Sequence, residues 1–160
     1  MIKAIVAMSD NFVIGENGRI PRNKPFDKQR FRDLINNQII VMGKGTYKSL
    51  KNYYPNEEWH PLASKNIVLS ETLSVEWITV ISDIMQIIEN YKDQVLWVIW
   101  WEKTYQSFLP YIDELYVTLV AWTYVGDSHF PIDYESFFIE EQNEIGRDTW
   151  TMYRKYKKKH

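Results

Sequence analysis

Asp27 is the residue of this sequence whose position is best suited to proton chemistry. It lies in a segment whose apolar spacing predicts a helix over residues 25–35, with Pro25 in the first turn. Phe31 follows Asp27 by four positions and Leu34 by seven, so the carboxylate shares the apolar face of that helix. An apolar environment disfavours the charged form of an acid, so a carboxyl group there is able to hold or relay a proton near neutral pH. The alternative is that Asp27 only complements the helix dipole, and the helix taken alone favours that alternative.

A second group of residues with chemical potential is the turn at residues 43–46, which reads Gly43, Lys44, Gly45 and Thr46. It follows a strand pattern and precedes a helical one, so free backbone amides and the positive end of a helix dipole should face outward. Small residues permit a ligand to approach the backbone, and Lys44 supplies a charge for a phosphate. The pattern by itself is equally consistent with an ordinary turn.

The elements that must position these residues alternate between strand and helix along the first two-thirds of the chain. Strands are predicted over residues 2–8, 38–43, 66–69, 77–81, 95–99, 114–121, 137–145 and 149–157. Helices are predicted over residues 25–35, 44–50, 82–90 and 102–108. This alternation indicates an α/β fold with a central, mostly parallel eight-stranded sheet and four flanking helices. The last two strands are predicted to form an antiparallel hairpin through residues 146–148.

Composition indicates a single globular domain over residues 1–160. The sequence has 160 residues, of which 45% are hydrophobic and 25% charged, which suffices for a buried core. A net charge of −2 means that the sequence lacks the excess of positive charge typical of nucleic-acid-binding proteins. No apolar run approaches the length of a membrane span. The first residues have a strand pattern and not that of a signal peptide. We therefore expect a cytoplasmic monomer with no nucleic-acid or membrane partner.

The residue types present also limit the chemistry. The absence of cysteine from the sequence excludes disulfides, thiolate catalysis and cysteine-ligated metals. His60, His129 and His160 are not spaced like a metal-ligand set, so no metal is expected.

Several short motifs follow one another along the chain. They are residues 1–8, 13–21 (VIGENGRIP), the helix that carries Asp27, 39–50, 65–70 (KNIVLS), 98–99, 105–110 (YQSFLP), 113–118 and 126–131 (GDSHFP). In this order and at these spacings the chain resembles bacterial dihydrofolate reductases over essentially its whole length. The resemblance implies the fold of that family and reduction of 7,8-dihydrofolate to tetrahydrofolate by hydride transfer from NADPH, with Asp27 assisting protonation of the pterin.

The resemblance also implies a folate pocket around Asp27, which antifolates would share. Asp27 would bind the pterin through paired hydrogen bonds, and Thr118 would link to it by further hydrogen bonds. Lys65 is the cation nearest to the place where relatives use an arginine for the glutamate tail of the substrate. The implied folate-binding residues are Ile5, Ala7, Asp27, Phe31, Leu50, Lys65, Ile99, Tyr105 and Thr118.

The cofactor site implied by the resemblance is built around the turn at residues 43–46, which would hold phosphate and ribose groups of NADPH. The implied cofactor-binding residues are Ala7, Ile14, Gly15, Asn17, Gly18, Ile20, Gly43, Lys44, Gly45, Thr46, Leu69, Ser70, Glu71, Ile99, Trp100, Trp101, Lys103, Thr104 and Tyr105.

Some of these positions depart from the family pattern. Trp100 and Trp101 replace a glycine pair that lets the backbone touch the cofactor, with a peptide bond that the resemblance implies to be cis. Glu71 and Glu102 bring carboxylates near the expected phosphates, and Arg22 brings a cation near the catalytic acid. We therefore expect weak or absent NADPH binding, and the choice between NADPH and NADH stays open. The alternative function is that of an impaired or inactive protein of this fold, acting as a binding or structural module.

Overall fold

An eight-stranded β-sheet runs through the part of the chain that the structure describes, and helices pack on both of its faces. The structure is a computed structural model that describes residues 1–17, 25–53, 62–76, 78–146 and 150–159. The strands of this sheet are β1 (Ile2–Ser9), β3 (Ile39–Gly43), β4 (Lys65–Leu69), β5 (Thr79–Ile81), β6 (Leu96–Ile99), β7 (Glu114–Val120), β9 (Phe138–Ile145) and β10 (Thr151–Lys158). A separate two-stranded sheet consists of β2 (Val13–Gly15) and β8 (Ser128–His129).

Helices connect most of these strands. They are α1 (Pro25–Ile35), α2 (Lys44–Tyr53), α3 (Ile84–Asn90), α4 (Glu102–Phe108) and the short α5 (Tyr134–Phe137), with a 3₁₀ turn at Leu109–Tyr111. The start of α3 is fixed by Asp83, whose carboxylate accepts a hydrogen bond from the Met85 amide at 2.9 Å. Within the described ranges, no helix is both long enough and apolar enough to cross a membrane.

The order of strands across the large sheet is β5-β4-β3-β6-β1-β7-β10-β9. The pairs from β5 to β7 are parallel, whereas β10 is antiparallel to both of its neighbours. Because parallel strands end at the same edge of a sheet, β1, β3 and β6 deliver their last residues to one place. The register sets Ile5 beside Ile99 and Ala7 beside Thr118.

Two clusters of buried apolar residues cover the two faces of the sheet. One contains Ala4 and Val6 of β1 together with residues of α3 and α4, such as Phe108. The other contains Ile5 of β1 together with residues of α1 and α2, such as Leu50. Successive residues of β1 enter different clusters because side chains alternate between the faces of a strand.

The predicted eight-stranded, mostly parallel sheet with four principal flanking helices is confirmed. The helix predicted over residues 25–35 has those bounds, and the predicted C-terminal hairpin corresponds to β9 and β10. The elements β2, β8 and α5 were not predicted. They are three, two and four residues long, which is too short for a periodic pattern to show.

Candidate active site

Residues that the resemblance assigns to the folate pocket converge on the face of the sheet that α1 and α2 cover. Ile5 and Ile99 are neighbours in register, and both are buried. Leu50 is buried in the same cluster, and Phe31 packs against that cluster with partial exposure. Asp27 lies one turn before Phe31 on α1 and is partly buried. The structure thus places a carboxylate beside an apolar wall.

Arg30 joins Asp27 and Thr118 to one polar cluster. Thr118 is fully buried on β7, and its Oγ1 accepts a hydrogen bond from Arg30 Nη1 at 3.1 Å. The Arg30 guanidinium also lies over the ring of Tyr153, 4.6 Å from the ring centroid. Burial lowers the pKa of Arg30, while the negative charge of Asp27 acts in the opposite direction. The structure therefore gives Thr118 a cationic partner.

Tyr105 connects the middle of β1 to the end of β6 from the opposite face. Its Oη donates a hydrogen bond to the carbonyl of Ile5 at 2.6 Å and accepts one from the amide of Trp100 at 2.9 Å. The ring is buried and packs edge-on against Phe130. Burial raises the pKa of Tyr105 above its usual value, so the phenol stays neutral. Its role in this arrangement is to join the middle of β1 to the residue that follows β6.

Trp100 keeps a backbone conformation that suits glycine. Its φ is 47° and that of Trp101 is 73°, both in the left-handed region that side chains disfavour. The described residues contain no cis peptide bond, so the expectation of a cis bond between the two tryptophans is wrong. The indole of Trp100 stacks on Phe31 with 5.6 Å between the ring centroids and 14° between the ring planes. Its carbonyl accepts a hydrogen bond from Thr46 Oγ1 at 3.2 Å.

The indole ring of Trp101 faces the two-stranded sheet formed by β2 and β8. Its Cζ3 atom lies 3.0 Å from the position that a Cβ on Gly15 would occupy, so a side chain at Gly15 would require the indole to shift by a few tenths of an ångström. The Nε1 of Trp101 is buried and has no hydrogen-bond partner within the described residues. An unsatisfied buried donor costs stability, so this position of the indole is held by packing alone.

The turn at residues 43–46 opens α2 as predicted. Apart from the backbone of α2 itself, no atom of the described residues lies within 4 Å of the position that a Cβ on Gly45 would occupy, so the backbone there faces open space. Lys44 Nζ donates a hydrogen bond to Thr72 Oγ1 at 2.6 Å. The hydroxyl of Ser70 accepts hydrogen bonds from the amides of Thr72 and Leu73, which fixes the loop after β4 close to this turn.

The two carboxylates that depart from the family pattern are placed differently. Glu71 lies exposed on the loop that Lys44 contacts through Thr72. Glu102 accepts a hydrogen bond from the His129 amide through Oε2 at 3.1 Å and from Gln106 through Oε1 at 3.2 Å. Both carboxylate oxygens of Glu102 are thus engaged within the chain, and the effect of its charge on a bound phosphate stays a prediction.

Other predicted cofactor residues line the same strand ends. Ile14 and Thr104 are buried, Leu69 is partly buried, and Lys103 is exposed. The amide of Asn17 donates to Asp127 Oδ2 at 3.0 Å, which ties the segment after β2 to the turn before β8. Gly18, Ile20 and Arg22 lie outside the described residues.

Lys65 is not brought together with the folate pocket. Its Nζ lies 5.0 Å above the ring of Tyr91, which belongs to the cluster on the α3 and α4 face of the sheet. A contact between Lys65 and a bound folate tail stays a prediction, and this placement does not support it.

Sequence reasoning missed Arg30, Thr72 and Asp127. Arg30 lies three positions after Asp27, a spacing that puts two residues on the same helix face and was available as a signal. Thr72 and Asp127 gave no such signal, because their contacts with Lys44 and Asn17 join segments that are distant in sequence.

Comparison with known proteins identifies the family. The sequence matches the family model described as dihydrofolate reductase over residues 1–158. It is 31% identical to the dihydrofolate reductase of Bacillus subtilis (strain 168) over 134 residues, which cover 82% of this chain and 76% of that protein. It is 35% identical to the dihydrofolate reductase of Buchnera aphidicola subsp. Schizaphis graminum over 135 residues, which cover 81% of this chain and 78% of that protein.

A solved structure agrees in fold. Dihydrofolate reductase from Enterococcus faecalis, complexed with NADP(H) and RAB-propyl, superposes with a TM-score of 0.85 at 22% identity and covers 100% of this chain and 97% of that one. The fold described above is the same α/β fold, and the matched family is one of oxidoreductases. The chain belongs to the dihydrofolate reductase family. These comparisons give no support to the alternative of an impaired binding module.

The turn at residues 43–46 has groups that suit the phosphate end of a nicotinamide dinucleotide. The open backbone at Gly45 and the charge of Lys44 suit phosphate groups. Beside the expected nicotinamide end, the indole of Trp100 is stacked on Phe31 and that of Trp101 is packed on Gly15, and their effect on cofactor binding stays a prediction.

Proposed function

We propose that this protein reduces 7,8-dihydrofolate to tetrahydrofolate, with NADPH as the hydride donor. The observation that carries the proposal is the partly buried Asp27 beside the apolar wall of Ile5, Phe31 and Ile99, in a chain of this family. A flat heteroaromatic ring with N–H groups along one edge suits such a site. Its faces contact apolar side chains, while its donors meet the carboxylate.

The residues of the pocket have different roles, which follow from their side-chain chemistry. Asp27 accepts paired hydrogen bonds from the amino edge of the pterin and favours a proton on the ring. Ile5 and Ile99 contact the ring, and the neutral phenol of Tyr105 keeps β1 and the end of β6 in place. The bound cofactor supplies the hydride, and Gly43, Lys44, Gly45 and Thr46 are the residues that would hold its phosphates.

We also propose that the unaltered chain binds NADPH weakly. Two observations support this: both indoles are packed against residues of the site, and Glu71 is exposed on the loop beside Lys44. A carboxylate near the ribose repels a 2′-phosphate and accepts a hydrogen bond from a free hydroxyl, so NADH is the second candidate donor. The repulsion is screened by salt, so the steric effect of the indoles should be the larger one.

The test is a titration of the purified chain with NADPH and with NADH, followed by an absorbance assay with dihydrofolate. We expect weak NADPH binding and, at saturating cofactor, oxidation of the cofactor that depends on dihydrofolate. Binding of folate without any turnover at saturating cofactor would exclude the enzyme and favour a binding module. Tight NADPH binding would exclude only the proposal of low affinity.

A further inference from the structure

Arg30 is held in a fixed position at the folate pocket by contacts on two strands. Its Nη1 donates to the buried Thr118 Oγ1 on β7 at 3.1 Å, and its guanidinium lies over the ring of Tyr153 on β10. A second ring, that of Tyr116, has its centroid 6.0 Å from the guanidinium carbon. A planar guanidinium with a hydrogen bond and aromatic faces around it loses little further freedom when a ligand binds nearby.

The charge of Arg30 acts on Asp27. The two residues are three positions apart on α1 and therefore share a helix face. The titratable groups that face the guanidinium are Asp27 on α1, Tyr116 on β7, Tyr153 on β10 and Glu144 on β9. Burial lowers the pKa of Arg30, but guanidinium groups start so high that Arg30 remains a cation at any physiological pH.

We infer that Arg30 is a specificity-determining residue, which makes the pocket favour neutral ring ligands over protonated ones. The inference rests on the proposed function, in which Asp27 binds the edge of the pterin. A neutral pterin and a protonated 2,4-diaminopyrimidine offer similar N–H donors to Asp27, but the second also brings a positive charge. That charge meets the field of Arg30 in a partly buried site, where charges are screened less than at the surface.

The experiment compares two ligands across matched variants by titration calorimetry. The ligands are folate, whose ring is neutral, and a 2,4-diaminopyrimidine that is protonated when bound. The variants are Arg30→Gln, which removes the charge, Arg30→Lys, which retains it, and Lys28→Gln, which removes a charge from an exposed position on the same helix.

We expect Arg30→Gln to raise the affinity for the diaminopyrimidine by about tenfold and to change the affinity for folate by less than about twofold. Arg30→Lys should keep the preference of the parent chain, and Lys28→Gln should change neither affinity. The gain in Arg30→Gln should shrink as salt is added, because the effect is one of charge. A merely structural role for Arg30 would lower both affinities together and would not respond to salt in this way.

Two outcomes would overturn the inference. If Arg30→Gln changed the affinities for both ligands equally, the charge of Arg30 would not discriminate between neutral and protonated rings. A loss of the preference for the neutral ligand in Arg30→Lys, which keeps the charge, would show the same. The variant Asp27→Asn separates this failure from failure of the proposed function. If Asp27→Asn leaves both affinities unchanged, the pocket is not at Asp27 and both proposals fall. If it weakens binding while Arg30→Gln shifts both ligands equally, only the inference about Arg30 falls.

Discussion

Asp27 has two neighbours one turn later on α1 that affect a carboxyl group in opposite directions. Phe31 contributes apolar surface, which favours the protonated acid, and Arg30 contributes a positive charge, which favours the carboxylate. Proton relay and the binding of a cationic ring thus depend on different neighbours of the same group. A ligand that is both a hydrogen-bond donor and a cation is the best probe of Asp27 itself.

The first prediction concerns Asp27→Asn. An asparagine has the same shape but no charge, so a 2,4-diaminopyrimidine should bind more weakly by about 1.5–3 kcal/mol, the contribution of a hydrogen bond to a charged group. Calorimetry of parent and variant measures the difference. Asp33→Asn is the matched control, since Asp33 is exposed on the same helix and bonds only to Gln29 among the contacts shown. Equal affinity of Asp27→Asn and parent would leave the helix-dipole interpretation of Asp27 standing.

At the scale of elements, the turn from β6 to α4 combines a glycine conformation with two large side chains. An L-residue in the left-handed region costs roughly 1–2 kcal/mol, so both tryptophans are held there against a local preference. Burial of an aromatic side chain contributes roughly 1.5–3 kcal/mol, and the stack on Phe31 and the contact with Gly15 provide such burial. Packing therefore outweighs backbone strain in this turn.

The second prediction is that Trp100→Gly with Trp101→Gly raises NADPH affinity by several-fold or more. The change removes both indoles from the site and gives the positive φ angles to a residue that adopts them freely. Because more packing is lost than strain is relieved, the melting temperature should fall. Glu71→Ser is the comparison, and it should raise affinity less, since surface repulsion is screened. Tight NADPH binding by the unaltered chain would show that the indoles leave the cleft at little cost.

The sheet strands β1, β7 and β10 meet at a charged cluster on Glu114. Its carboxylate lies 2.9 Å from Lys3 Nζ and 3.0 Å from Lys155 Nζ, and it accepts a hydrogen bond from Tyr116. Burial raises the pKa of Glu114, but these three partners outweigh burial and lower the pKa from 4.5 to about 2. A depressed pKa means that the unfolded chain binds more protons than the folded one between these values. Glu114 therefore stabilises the fold above pH 4.5, and this stabilisation is lost as the pH falls towards 2.

The third prediction follows from the pH range over which Glu114 loses its stabilising effect, from 4.5 down to about 2. Glu114→Gln should be less stable than the parent at neutral pH, and the difference should narrow at about pH 3, where the parent has begun to lose the contribution of Glu114. Urea denaturation at the two pH values measures both differences. Glu76→Gln, at an exposed position, serves as the control and should follow the parent at each pH. A difference between Glu114→Gln and parent that does not change with pH would contradict the assigned cause.

At the scale of the molecule, the sequence predicts the central sheet because strand and helix periods alternate over most of its length. The apolar wall of Ile5 and Ile99 is implied by the family resemblance, and the register of β1 and β6 sets these two residues side by side. The sequence does not predict the bond between Arg30 and Thr118, which joins residues 88 positions apart and depends on how α1 lies on β7. Nor does it predict that Glu102 turns to His129, since a side-chain direction depends on its packing. The fold can thus be predicted from the periodicity of the sequence, whereas the polar contacts of the site depend on how the helices and strands pack in the folded chain.

The last prediction is that deleting residues 149–160 abolishes cooperative folding. The strand β10 lies inside the sheet, antiparallel to β7 on one side and to β9 on the other, so its loss removes two ladders of hydrogen bonds. Tyr156 is buried in one cluster with Phe138 and Tyr134, whereas Trp150 is 57% exposed. The lost apolar burial should therefore come mainly from Tyr156. Thermal unfolding followed by circular dichroism measures the result, with a chain lacking only residues 159–160 as the control. A deletion that still melted cooperatively near the temperature of the parent would contradict the inner position of β10.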